Sequence, residues 1–199
     1  VVLPGERLDV RGVIPSDAAT DGEAGVEAIA AAPIDEAEAG ETPAGVNPVA
    51  ISLPGQSVNG EWTHRGGNAA HFAGHVALGQ GVSRVWSSAI GRGSSRKFRI
   101  PAAPIVGGGR VYTLDAEATV TATATSGGTA WSADLTPATD KRGEVSGGGL
   151  AFGSGQVFAT TGYGELVALD ATSGSIQWRA RFDTGEGGAP TVDGGVVYA

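Results

Sequence analysis

Short apolar runs separated by glycine-bearing turns recur along the second half of the chain. In the clearest copy the runs cover residues 148–152, 156–160, 165–170 and 176–182, joined by GSG, TGYG and ATSGS. Glycine-containing connections of about two to five residues join antiparallel strands in hairpins. The run LVALD is apolar at four consecutive positions, which is typical of a strand covered on both faces. The pattern predicts a four-stranded antiparallel sheet.

The same arrangement returns at a nearly constant interval. Trp86, Trp131 and Trp178 lie 45 and 47 residues apart, and the apolar runs before them repeat in step. Repeated four-stranded antiparallel units of this length are β-propeller blades. Helical pairs repeat at similar intervals, but their 3.6-residue apolar spacing is missing here. We therefore predict an all-β propeller with about three blades plus two strands, at about 58–100, 101–147, 148–188 and from 189 to 199.

One motif explains how such blades would be joined. Ala168, Asp170, Gly174 and Trp178 follow the spacing A-x-D-x-x-x-G-x-x-x-W. Asp accepts hydrogen bonds from the N–H groups of a following turn, and Gly adopts the left-handed conformation that such a turn requires. Ala leaves room for a large ring, and Trp offers a broad apolar face with an indole N–H donor. We predict that this motif docks one blade against its neighbour.

An earlier copy of the motif is incomplete. It keeps Ala122, Gly127 and Trp131, but Ala124 stands in the place of Asp and the run is one residue shorter. Without the carboxylate we expect its turn to be held less firmly. Trp86 occupies the tryptophan position one unit earlier. These residues are predicted to be structural, and no catalytic, cofactor-binding or metal-binding residue is predicted.

The chain of 199 residues divides sharply in composition. Residues 1–45 are rich in Ala, Gly and Pro, and eight acids lie between residues 16 and 41 without a single Lys or Arg. Such a segment cannot bury enough apolar surface to offset its ordering entropy, so we predict a disordered acidic tail. The remaining residues, 46–199, carry 11 acids and 11 bases. Nothing supplies a basic face, which argues against nucleic acid as a partner.

Other candidate sites have simpler structural explanations. His64, His71 and His75 lie close together in the sequence, but their spacing matches no common zinc pattern. The basic loop 92–99 could contact an anionic partner or lipid head groups, but a solvated loop between blades explains it better. The GGG and GSG runs lack a following helix and an adjacent Lys-Ser/Thr, so they are hairpin turns and not phosphate loops.

The acids of the second half also lack a catalytic setting. Asp134, Asp140 and Glu144 are predicted in a loop between blades, where exposure does not support acid–base chemistry. That loop, 135–148, is the longest link between blades and is our candidate for partner binding. The chain has no Cys, which excludes disulfides and thiolate chemistry within these residues.

The motif resembles the tryptophan-docking motif of quinoprotein-type propellers, which have eight blades. The stretches LPGER, GGNAAH, VYTLDAEATV, SGGGLAFG and VFATTGYGELVALD resemble the BamB-like lipoproteins of the outer-membrane β-barrel assembly machinery. This resemblance covers residues 1–11 and 58–199. It implies a non-enzymatic periplasmic scaffold without a cofactor, anchored by a lipidated Cys just before Val1. The implied partners are periplasmic domains of the BamA-like translocase and unfolded outer-membrane proteins.

Two alternatives stay open. One is a dehydrogenase that binds pyrroloquinoline quinone and calcium in the central funnel, and the other is a generic ligand-binding propeller. Many such dehydrogenases carry an adjacent Cys pair, which is missing here, and acidic or amide calcium ligands cannot be identified. Because eight blades of this repeat need about 360 residues, and the last residues read as an unfinished strand, we expect the chain to be a fragment of a longer protein.

Overall fold

The computed structural model describes residues 51–182 and 188–199, and every regular element in these ranges is a β-strand. The predicted acidic tail at residues 1–45 lies outside them. No helix in the described part of the chain has the length and apolar character to cross a membrane.

Ten strands form three separate antiparallel sheets in chain order. The first sheet contains β1 (Ile105–Gly107), β2 (Arg110–Leu114), β3 (Thr119–Ala124) and β4 (Thr129–Asp134). The second sheet contains β5 (Gly148–Gly153), β6 (Gln156–Thr161), β7 (Glu165–Asp170) and β8 (Ile176–Arg181). The third is a hairpin of β9 (Thr191–Asp193) and β10 (Val196–Tyr198). The predicted all-β fold built from four-stranded antiparallel blades is confirmed.

The strand LVALD is buried on both faces because its side chains alternate between two cores. Val167 and Leu169 pack with residues of the first sheet, including Tyr112. Leu166 and Ala168 pack with Val192 of the third sheet. Successive strand residues point to opposite faces, so an unbroken apolar run places the second sheet between two neighbours.

The blade expected at 58–100 is not a four-stranded sheet. Among the described residues before β1 there are only isolated bridges, at Ser57–Val76, Trp62–Val106 and His64–Gly67. Several large apolar side chains there lie in solvent, and Val85 is 85% exposed. Since no neighbouring strand covers these side chains, alternation alone does not produce a sheet in this segment.

Candidate functional site

The Ala and Trp of each motif copy face each other across a strand pair. Ala168 pairs with Trp178 between β7 and β8, and Ala122 pairs with Trp131 between β3 and β4. In both sheets the register shifts by one residue immediately after the Ala. A small residue opposite a large ring gives that ring room, and the bulge twists the outer strand locally.

Trp131 of the first sheet extends onto a turn of the second. Its indole N–H donates to the carbonyl of Ala171 at 3.0 Å. Its ring lies over Gly174, where a Cβ would stand 2.6 Å from two ring carbons. Gly174 has φ +75°, in the left-handed region that favours glycine. The ring and this turn therefore form a joint between two consecutive sheets, hereafter the Trp131 joint.

A single carbonyl receives all the side-chain hydrogen bonds that the first sheet contributes to this turn. Ala171 O accepts from Arg110 Nη1 at 2.7 Å, from Tyr112 OH at 3.2 Å and from the Trp131 indole. The Tyr112 and Trp131 ring centroids lie 5.8 Å apart. Burial raises the pKa of Tyr112, so its hydroxyl stays protonated and able to donate.

Asp170 organises the turn from the inside. Its Oδ1 accepts from the Ser173 hydroxyl and the Ser173 N–H, both at 2.8 Å, and from the Thr172 N–H at 3.1 Å. Its own carbonyl accepts from the Gly174 N–H. The Ser173 bonds, the largest cause, hold the pKa of Asp170 below its ordinary value. The turn is thus fixed in the shape that Trp131 covers.

The same contact occurs one unit earlier without the carboxylate. Trp86 lies over Gly127, where a Cβ would stand 2.9 Å from Trp86 carbons, and Gly127 has φ +96°. Two backbone hydrogen bonds close this turn: the Gly127 N–H donates to the Ala124 carbonyl, and the Ala124 N–H donates to the Gly128 carbonyl. Trp86 remains 36% exposed.

Trp178 is the most exposed of these three tryptophans. It is 40% exposed and packs on Phe158 of its own sheet, with ring centroids 5.9 Å apart. The structure therefore places Trp86 and Trp131 on neighbouring turns, while Trp178 contacts its own sheet.

Sequence reasoning missed the residues that assist the tryptophans. Tyr112 and Phe158 hold the same place 46 residues apart, beside Trp131 and Trp178 respectively. Their equal position in the repeat is the sequence signal from which they could have been predicted. Asp115 was also missed: it is buried and accepts backbone N–H groups of Arg92, Glu117 and Thr119, so it joins the segment before β1 to the first sheet. No pattern in the sequence singled it out.

The three histidines do not converge on a metal site. The described residues contain no group of three or more His, Cys, Asp or Glu side chains that could hold a metal ion. His64 is buried and hydrogen-bonded to the Val192 N–H, whereas His75 contacts the Pro54 carbonyl. In the basic loop, Lys97 lies over the Phe98 ring at 4.9 Å.

The loop 135–148 is fastened to the first sheet by Arg142. This side chain donates to Glu117 at 3.3 Å, to Asp134 at 3.1 Å and to Thr119 at 2.8 Å. Burial acts to raise the pKa of Asp134, but hydrogen bonds from Thr136 and the Arg142 charge outweigh it and the net shift is downward. Asp134 therefore serves as an ionised anchor for this loop.

Replacing Asp170 should make the turn less sensitive to acid. The carboxylate contributes stability above its unfolded value of 3.8, and this stability is lost as pH falls below that value through the lowered folded pKa. We expect the melting temperature of D170N to lie below that of the wild type at pH 7 and to approach it at pH 3, measured by circular dichroism. S173A removes the Ser173 hydroxyl that donates to Asp170, so in this background D170N should lower the melting temperature by less. A difference between wild type and D170N that does not change with pH would contradict the assignment.

Comparison with known proteins supports the architecture. Residues 116–199 match the family model described as "Outer membrane protein assembly factor BamB". No curated protein sequence matches the chain.

Three solved structures illustrate the likeness. A europium-containing methanol dehydrogenase is 23% identical with a TM-score of 0.54, covering 70% of this chain and 27% of its own. A quinohemoprotein alcohol dehydrogenase from Comamonas testosteroni is 25% identical with a TM-score of 0.53, covering 69% and 22%. BamB from Moraxella catarrhalis is 21% identical with a TM-score of 0.36, covering 46% and 31%.

The chain thus spans about a quarter of the length of the two dehydrogenases that it matches. The likeness to the two dehydrogenases, together with the repeated four-stranded sheets, shows a β-propeller fold. Residues 116–199 are similar in sequence to the PQQ-like repeat family that includes BamB.

Proposed function

We propose that the protein is a non-enzymatic scaffold of outer-membrane β-barrel assembly, acting in the periplasm as an outer-membrane-associated lipoprotein. The observation that carries this proposal is the match of residues 116–199 to the family model named for assembly factor BamB. The proposed partners are the periplasmic domains of a BamA-like translocase, with unfolded outer-membrane proteins as clients.

The use of polar side chains in the described sheets supports a scaffold. Arg142 and Glu165 form ion pairs that hold loops and strands together, and Arg110 donates a hydrogen bond within the Trp131 joint. Catalysis needs polar groups aimed at a reacting centre. Here they bind strands and loops to one another, which suits a rigid frame that presents its loops.

The loop 135–148 is the candidate contact surface. Arg142 anchors it, while Lys141 and Glu144 are exposed beside that anchor. An anchored loop loses little conformational entropy on binding, so its exposed side chains can contribute fully to affinity.

Affinity capture from an envelope extract tests the proposal. The full-length protein should retain the assembly translocase. The charge exchange K141E/E144K should reduce the captured amount severalfold, because it reverses the exposed charges of the loop while the Arg142 anchor keeps the loop in place. R96Q, a single neutralising substitution in the basic loop, is the control and should capture as the wild type does. Absence of the translocase from the wild-type capture would overturn the scaffold proposal, and equal loss in both variants would move the contact away from this loop.

A second candidate is a quinone-dependent dehydrogenase, favoured by the structural likeness to two dehydrogenases. The described residues do not fit the required cation site, since they bring together no three acidic or histidine side chains. Incubating the full-length protein with pyrroloquinoline quinone and Ca²⁺ separates the two functions. A bound chromophore with alcohol oxidation would support the dehydrogenase, and the scaffold proposal expects neither.

A further inference from the structure

The short segment 61–64 touches the first strand of each sheet in turn. Trp62 exchanges two backbone hydrogen bonds of 2.7 Å with Val106 in β1. The next residue, Thr63, accepts a 2.8 Å bond from the Phe152 N–H in β5. Since β1 and β5 pair with their own sheets along the opposite edge, this segment satisfies backbone groups that the sheets leave open.

His64 makes the third contact with its side chain. The Val192 N–H, in β9, donates to His64 Nε2 at 2.9 Å, and the imidazole is only 3% exposed. An Nε2 atom that accepts a hydrogen bond carries no proton, so the proton of the neutral ring is on Nδ1. That atom lies 2.8 Å from Thr63 Oγ1, which accepts it. The contact with the third sheet therefore requires an uncharged ring.

The surroundings of His64 favour the neutral form. Burial lowers its pKa, and the nearby His71, whose ring centroid is 6.3 Å away, lowers it further. The backbone contact with Val192 and, to a smaller extent, the carboxylate of Asp193 in β9 act in the opposite direction, and the net shift of the pKa is downward. His71 Nε2 is itself 3.1 Å from the hydroxyl of Thr191 in β9, so both imidazoles contact the same strand.

We propose that His64 is a pH-sensitive latch that fastens the β9–β10 hairpin to segment 61–64. In the neutral state it accepts the Val192 N–H. A proton added at Nε2 would place two N–H groups against each other, and the hydrogen bond is lost. The loss of this hydrogen bond weakens the attachment of the hairpin to segment 61–64, while Val192 stays packed against the second sheet.

The direction of the pH effect follows from the sign of the shift. Because the pKa of His64 is lower when the Val192 contact is formed than the ordinary value of 6.5, protons bind first to the state in which this contact is open. The contact is therefore fully stable above pH 6.5 and weakens as the pH falls below that value. Amide protection factors, which correct for the intrinsic pH dependence of exchange, measure this in the full chain. The protection factor of the Val192 amide should fall between pH 7.5 and pH 5.5, by about tenfold at most, while those of Ala159 and Val167 stay constant.

Variants distinguish the latch from general acid sensitivity. H64Q keeps an acceptor that does not titrate, so the protection of Val192 should become independent of pH. H75Q is the matched control, because His75 contacts Pro54 and not the hairpin, and it should behave as the wild type does. A wild-type protection factor that stays constant, or an equal fall in H64Q, would overturn the proposal.

A measurement on the wild type gives a second, independent test. The His64 ring protons, followed by NMR, should titrate with a midpoint below 6.5, and the protection of the hairpin should fall over the same pH range. A midpoint at or above 6.5 would contradict the latch even if the variants fail to fold.

Discussion

Trp131→Ala should lower the free energy of unfolding by about 3–5 kcal/mol, the range for truncating a large aromatic side chain in a packed site. The substitution removes the ring that covers the Gly174 turn and one of the three donors to the Ala171 carbonyl. It also removes the aromatic contact with Tyr112. Urea denaturation followed by circular dichroism measures the change, with the midpoint and the slope reported separately.

Two variants divide this effect into its parts. Trp131→Phe keeps an aromatic face but loses the N–H donor, so it should cost about 1 kcal/mol for the hydrogen bond plus a smaller packing loss. Trp178→Ala is the matched control, because Trp178 has the same motif position but is 40% exposed and contacts its own sheet. It should cost about half as much as Trp131→Ala or less. Equal losses at the two positions would show that no joint between sheets forms at Trp131.

The strands of the second sheet could be predicted because local and long-range requirements agree there. The run LVALD is apolar on both faces, and the structure places Leu166 and Leu169 in two different cores. The turns on either side contain glycine, and Gly164 and Gly174 adopt positive φ. Each strand begins and ends within about one residue of its predicted bounds, because turn chemistry fixes both ends.

The segment before β1 could not be predicted by the same means. Its tryptophan, Trp86, obeys the repeat and lies over Gly127 as a blade tryptophan would. Its apolar positions do not alternate against a neighbour, however, and Val82 stays exposed. The regular interval therefore indicated a tryptophan that lies over the Gly127 turn, but it predicted more sheet around Trp86 than the structure contains.

The joint itself was only half visible in the sequence. The ring and the glycine are residue types that a pattern can reveal, and their spacing placed them in the motif. The acceptor is a backbone carbonyl, that of Ala171, and any residue supplies one. For the same reason the contacts of Thr63 with β5 could not be read from the sequence, since main-chain atoms make them.

Gly174→Ala should lower the free energy of unfolding by about 2–5 kcal/mol. A Cβ in the left-handed conformation, at φ +75°, costs about 1–2 kcal/mol. The same Cβ would stand 2.6 Å from the Trp131 ring, and relieving such overpacking costs about 1–3 kcal/mol more. Thermal and urea unfolding of the variant measure the sum.

Gly155→Ala separates these two costs. Gly155 has φ +73°, nearly the same as Gly174, but nothing lies within 4 Å of the position where its Cβ would stand. Its substitution should therefore cost only the backbone strain, about 1–2 kcal/mol. In the Trp131→Ala background the ring is gone, so Gly174→Ala should then cost no more than Gly155→Ala, and the two single substitutions should be non-additive. If Gly174→Ala costs the same with and without the ring, then the contact between ring and turn does not hold the two sheets together.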